Sequence, residues 1–317
     1  MEISIIIASR GDSYGGDNLK KTLRLTRRIA HVFTKYQIAY EILVVDYNPV
    51  PSNRFRMFSG WPKKVRIIEV PLDSIQSING TNKPFVEFHA KNIGIRRATG
   101  KQVLCINNDI KISVKALLAC VSRPHLDKSF LRLDRLDITY PNEGLIPRLL
   151  LQVRHEDNIK PISLDLKKLS GLRARYPIIL DGEREEGNFI VSPTGGTKNH
   201  VVHGLHTNAS GDFLCAPSEL WSIVNGYSEQ RYQFFMGDAL ILAAFLSTGY
   251  RQLIMKGPFN ALHINHSKQI NHREGWSEES NTEFMKYFNQ ICHSNFAKLN
   301  KSEDWGLGET HLKEFHY

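Results

Sequence analysis

The sequence predicts an α/β chain: a doubly wound, mostly parallel central sheet with helices on both faces. Three observations carry this. Four apolar runs rich in branched residues fall in the first third, EISIIIAS (2–9), YEILVVDY (40–47), KVRIIEVP (64–71) and KQVLCINND (101–109). Runs of this kind suit strands covered on both faces. Helical patterns lie between them, and strand–helix alternation is the signature of parallel crossover units.

Each element has a local reason. DNLKKTLRLTRRIAHVFTKY (17–36) opens on Asp17, a capping residue after two glycines. Its basic group KKTLRLTRR alternates with Leu23, Leu25, Ile29 and Val32 at helical spacing, which reads as the solvated face of an amphipathic helix rather than a nucleic-acid patch. PFVEFHAKNIGIRRATG (84–100) starts with a first-turn proline and ends at Gly100. After VLCINND a further helix can start at Ser113. The region 122–205 contains the strand-like SFLRLDRLDITY and charged, proline-containing stretches, and is expected to form a long insertion over the sheet. Order returns at ASGDFLCAPSELWSIVNGYSE (209–229), where Ser218 suits a cap and Gly226 a helix end. MGDALILAAFLSTG (236–249) is a second helix, RQLIM (251–255) a strand, and NALHINHSKQINH follows.

Composition bounds the class. The chain has 317 residues, 41% of them hydrophobic and 23% charged, which suits one large globular domain. No apolar run approaches a membrane span and no leader pattern opens the chain. Cys105, Cys120, Cys215 and Cys292 stand singly, without metal or disulfide spacing, so a reducing compartment, the cytoplasm, is expected. The net charge of +9 is spread along the chain and admits a nucleic acid, an anionic surface or a phosphate-bearing small molecule as partner.

In a doubly wound sheet, ligands bind outside the carboxyl ends of the strands, where Ser9, Arg10, Asp46 and Asp109 fall. An acid at such an end, with one or two imidazoles, can hold Mn²⁺ or Mg²⁺ and leave positions for substrate phosphates. His263 and His266, three residues apart, are the candidates for that partnership, although a hydrogen-bonded surface role suits either of them equally. Asp238 in a helical first turn also suits the helix dipole, and Asp212 in SGDF also suits a turn. Trp221 and Trp276 read as core or lid residues, Trp276 with a sugar-facing alternative.

In their order, IIIASRGDSYGG, EILVVDYNP, FHAKNIGIRRATGKQVLCINNDIKIS, LHTNASGDFLCAPSELWSIVNGYSE, the Asp238 helix, ALHINHS and the C-terminal DWGLGETHLKEF resemble a GT-A nucleotide-sugar glycosyltransferase of the family 2 type. The likeness is greatest to a bacterial, algal and viral branch whose metal strand ends in Asn-x-Asp, and it covers nearly the whole chain apart from 140–200. The resemblance implies one domain, with a nucleotide-sugar half (1–121), an insertion (122–205) and an acceptor and metal half (206–317). It implies Asp109 and His266 as metal ligands, with His263 as a second imidazole, and Asp238 as general base. Arg10, Asp46, Lys91, Asn107 and Asp212 would bind the donor, with Lys91 facing the diphosphate and Asn107 standing where the family has its first metal-motif acid. The implied reaction moves a sugar from a UDP- or GDP-linked donor to a glycan or glycoconjugate hydroxyl, with inversion and Mn²⁺ or Mg²⁺, and involves no nucleic acid. A sugar-nucleotide nucleotidyltransferase shares such a sheet, but SRGDSYGG is a poor match for its phosphate loop. A non-catalytic glycan or nucleic-acid binder would also account for the charge.

Overall fold

A computed structural model describes residues 1–10, 17–50, 55–79, 85–121, 128–133, 136–138, 188–190, 201–203, 211–229, 237–255, 261–264, 278–292 and 298–317. Along the chain come β1 (Ile3–Arg10), α1 (Asn18–Lys35), β2 (Tyr40–Tyr47), β3 (Val65–Val70), α2 (Leu72–Asn79), α3 (Glu87–Arg96), β4 (Gln102–Ile106), β5 (Ile110–Ile112) and α4 (Val114–Ala119). They are followed by β6 (Ser129–Leu133), β7 (Leu136–Ile138), β8 (Asn188–Ile190), β9 (Val201–His203), β10 (Phe213–Pro217), α5 (Ser218–Val224), α6 (Gly237–Ser247), β11 (Arg251–Met255), β12 (Ala261–Ile264), α7 (Glu278–Cys292) and β13 (Lys313–His316).

Eight strands form the central sheet in the order β11-β6-β10-β4-β1-β2-β3-β13. The four strands read from the first third are its parallel core, β4-β1-β2-β3. Alternate residues of that core enter two apolar clusters. Ile6, Ala8, Leu43 and Val45 meet side chains of α3, α5, α6 and α7. Ile3, Ile5, Ile7, Ile42 and Val44 meet those of α1 and α4. Helices therefore cover both faces, and the near-continuous apolar runs follow from that double burial. Gly94 lets α3 lie close on β1, because a Cβ there would stand 2.4 Å from Ile6 Cγ2.

Local signals hold at several termini. Asp17 accepts from the Lys20 amide at 2.9 Å and caps α1. Ser113 caps α4 through the Ala116 amide at 3.0 Å. Arg24 and Arg27 lie on the exposed side of α1, opposite buried Leu25 and Ile29, as an amphipathic helix requires.

Three expectations are corrected. The helix read over 84–100 spans only Glu87–Arg96, with Val86 in an extended conformation at its start and Arg97 at its end. Pro217, not Ser218, occupies the cap of α5, and Asn225 ends that helix in the left-handed region ahead of Gly226. SFLRLDRLDITY is not one strand. Ser129–Leu133 is an inner strand between β10 and β11, so part of the expected insertion is built into the main sheet. Leu136–Ile138 crosses to a three-stranded sheet, β5-β12-β7. Among the described residues, no helix is long and apolar enough to cross a membrane. Cys105, Cys120 and Cys215 are buried thiols, and Trp221 is a core residue whose indole donates to the Val103 carbonyl at 3.3 Å. Trp276 and His266 lie outside the described residues.

Candidate active site

The parallel register sets Ser9 opposite Asp46 and Arg10 opposite Tyr47 at the carboxyl ends of β1 and β2. Asp46 is wholly buried, and its Oδ2 accepts from the Phe55 amide at 3.4 Å. The Arg10 guanidinium lies 5.4 Å from the Phe85 ring centroid, so Arg10 and the segment entering α3 share one wall. Beyond β4, Asn108 donates to Ser9 Oγ at 3.2 Å and to Thr22 Oγ1 at 3.1 Å, tying the turn before Asp109 to β1 and α1.

Asn107 and Asp212, expected separately as donor-binding residues, meet directly. Because β10 runs antiparallel to β4 with Phe213 opposite Ile106, Asp212 comes beside Asn107. The Asn107 amide donates to the Asp212 carbonyl at 3.1 Å, and its side-chain amide donates to Asp212 Oδ1 at 2.9 Å. An amide suits this place, since a carboxylate there would face another carboxylate at hydrogen-bond distance.

Asp109 meets His263. The short β5 pairs antiparallel with β12, placing His263 opposite Ile110, one residue beyond the acid. His263 Nε2 lies 3.4 Å from Asp109 Oδ2, with the imidazole buried and the carboxylate partly open. Two groups holding adjacent positions on an octahedral cation, each about 2.1 Å from it, stand about 3 Å apart. The pair therefore fits a shared Mn²⁺ or Mg²⁺ in both donor type and spacing. Among the described residues, no group of three or more His, Cys, Asp or Glu side chains forms a fuller cluster, so a cation on this pair would need substrate oxygens, water or residues outside that set to complete its coordination.

A different environment surrounds Asp238. It lies in the first turn of α6, where its Oδ1 accepts from the Ala239 amide at 3.0 Å, and the Gly211 amide also donates to it. Burial, then the negative charges of Glu87 and Asp212, push its carboxyl up to about 6. Lys91 is wholly buried beneath this group. Its ammonium is 2.5 Å from Glu87 Oε1 and also donates to the Gly211 carbonyl, so its charge reaches the site through those two groups. Phe88 and Tyr227 stack at 4.8 Å between rings and close the wall, and Phe88 packs so tightly on Gly237 that a Cβ there would lie 2.6 Å from its ring.

Glu87 is the charged side chain beside Asp238 that sequence reading missed. The signal was available: Glu87 and Lys91 are four apart on one helix, the spacing that pairs opposite charges. What the sequence did not show is that Lys91 is wholly buried and that Glu87 places its charge beside Asp238.

No family model and no curated protein matches the sequence. Similar solved structures exist. The crystal structure of S. aureus TarS 1–349 is 11% identical, with a TM-score of 0.52, over 94% of this chain and 67% of that one. The same fragment in complex with UDP-GlcNAc is 14% identical, with a TM-score of 0.48, over 98% and 71%. Mannosyltransferase PcManGT from Pyrobaculum calidifontis, in complex with GDP-Man and Mn²⁺, is 13% identical, with a TM-score of 0.45, over 96% and 72%. The first likeness and the sheet order together give the chain the GT-A type of α/β fold expected from its sequence.

Proposed function

We propose that this chain is a glycosyltransferase that moves a sugar from a UDP- or GDP-linked donor to a hydroxyl of a glycan or glycoconjugate, with inversion and with Mn²⁺ or Mg²⁺. The observation that carries this reading is a polar chain made of separate links across the carboxyl ends of β4 and β12 and the start of β10: His263 contacts Asp109, Asn107 two residues earlier bonds Asp212, and the charge of Asp212 acts on Asp238. One end of it suits a cation and the other a proton.

Breaking the bond between a sugar carbon and a nucleoside diphosphate puts negative charge on the departing phosphate. Asp109 and His263 would hold a divalent ion, and when bound it would supply Lewis-acid stabilisation of that charge. Asn107 and Asp212 keep β4 and β10 in register beneath the donor, and Arg10 and Asp46 stand at the nucleotide side. Asp238 receives the proton of the attacking hydroxyl. With its carboxyl pushed up to about 6, it is ionised near pH 7 yet more basic than an ordinary aspartate, as a general base should be. A single base acting on the acceptor gives one displacement, hence inversion.

The test is a panel of UDP- and GDP-sugars followed by thermal stability and by nucleoside-diphosphate release, with Mn²⁺ and then with EDTA. The reading expects one donor to stabilise the protein in Mn²⁺ and to be turned over when a glycan is added. Pyrophosphate formation from a nucleoside triphosphate and a sugar phosphate would replace it by nucleotidyl transfer. Salt-sensitive nucleic-acid binding without turnover would replace it by a binding function.

A further inference from the structure

Buried lysines are uncommon, and a fully buried one needs compensation. Lys91 obtains it from two groups only a few ångströms from Asp238. A Cβ on Gly211 would lie 3.6 Å from Glu87 Oε1 and 3.8 Å from Asp238 Oδ2, so both carboxylates border the same glycine. Gly211 is bonded on both sides: its carbonyl accepts from Lys91, and its amide donates to Asp238. Asp238 is thus faced by Glu87 from α3, by Asp212 from the approach to β10, and by Tyr227 from the segment after α5, with Cys105 of β4 against that tyrosine, while Lys91 of α3 reaches it through its bonds to Glu87 and the Gly211 carbonyl.

We propose that Glu87 and Lys91 are a positioning pair that sets the protonation of Asp238. Glu87 holds negative charge beside the carboxyl and favours its proton, while Lys91 limits that effect and orients the Gly211 peptide whose amide donates to Asp238. The inference deepens the reading of Asp238 as base and rests on it for its catalytic consequence, but the charge coupling itself does not. Glu87 is only about one-third exposed at its side chain, so its charge is not fully screened by water. Its bond to Lys91 is one that a glutamine can also accept, which separates charge from geometry.

The two partners have opposite signs, and this distinguishes coupling from simple support of the helix. Glu87→Gln should lower the titration midpoint of Asp238, and Lys91→Met should raise it, each by at least about 0.5 pH unit, a small share of the shifts that nearby charges cause. Glu87→Asp, which restores the charge, should return the midpoint toward the wild-type position. The experiment is a carboxyl ¹³C titration by NMR on aspartate-labelled protein, with the Asp238 signal assigned by its loss in Asp238→Asn, alongside pH–rate profiles. Midpoints that differ by less than about 0.2 unit, far below that range, between wild type and Glu87→Gln would overturn the pair, whatever the kinetics. Midpoints that move while the acid limb of the rate profile stays fixed would uphold the pair and remove Asp238 as base. If Lys91→Met does not fold, the Glu87→Gln and Glu87→Asp comparison decides alone.

Discussion

The two ends of the polar chain hold one acid each and treat it in opposite ways. Asp109 stands beside an imidazole, partly open, at the mouth of a strand. Asp238 stands among other carboxylates, with the Lys91 ammonium bound to Glu87 and to the Gly211 carbonyl. An acid beside an imidazole offers a pair of donors that a cation could share. An acid crowded by like charge keeps a proton longer. Residue type alone does not assign the roles; the neighbours do.

That contrast can be broken by substitution. The largest expected effect is on turnover. Asp238→Asn should cut kcat by roughly 10²-fold or more while donor affinity stays near wild type, the scale and pattern of a group acting as the bond forms. Retention of kcat within about threefold, below that range, would return Asp238 to a capping role. At the other end, His263→Ala should raise the Mn²⁺ concentration needed for half-maximal activity by roughly tenfold, the low end for loss of a metal-site residue. An unchanged Mn²⁺ requirement would mean that the histidine serves only as a hydrogen-bond partner of Asp109.

Stability offers a smaller and independent contrast. Asp238 has its folded value raised from 3.8 to about 6. The stability linked to its neutral form is therefore fully present below about pH 4 and lost as pH rises through about 6. Asp238→Asn, which never ionises, should be more stable than wild type at pH 8 by roughly 1–3 kcal/mol, with the difference shrinking toward pH 4. Chemical denaturation at the two pH values measures it; an equal difference at both would remove the buried charge as its cause. The smallest expected effect is at Asn107, where substitution by Ala should cost about 1 kcal/mol through the lost bond to Asp212. A cost well above that in the same denaturation would show that Asn107 supports more than this one contact.

Much of the fold was legible because its signals are local. The first four strands, the caps at Asp17 and Ser113, and the two-sided burial all follow from short patterns. What was not legible depends on long-range pairing. SFLRLDRLDITY has one continuous β pattern, and nothing within it marks that its two ends join different sheets. The candidate site divides in the same way. Asp109 was readable from its place after an apolar strand, but its contact with His263 needed the β5–β12 pairing. Asn107 and Asp212 lie 105 residues apart and meet only because β10 runs against β4. Lys91 was expected to face the diphosphate from a likeness in sequence, whereas its burial and its bonds to Glu87 and Gly211 come from how closely α3 packs on the sheet.

The most direct test of a chain with a cation end and a proton end is calorimetric binding of UDP and GDP to wild type, Asp109→Ala and Asp238→Asn, each in Mn²⁺ and in EDTA. Wild type and Asp238→Asn should both bind one nucleotide more tightly in Mn²⁺, and Asp109→Ala should lose that Mn²⁺-dependent gain while retaining its fold. Undiminished Mn²⁺-dependent binding by Asp109→Ala, or its loss in Asp238→Asn, would contradict the division of roles.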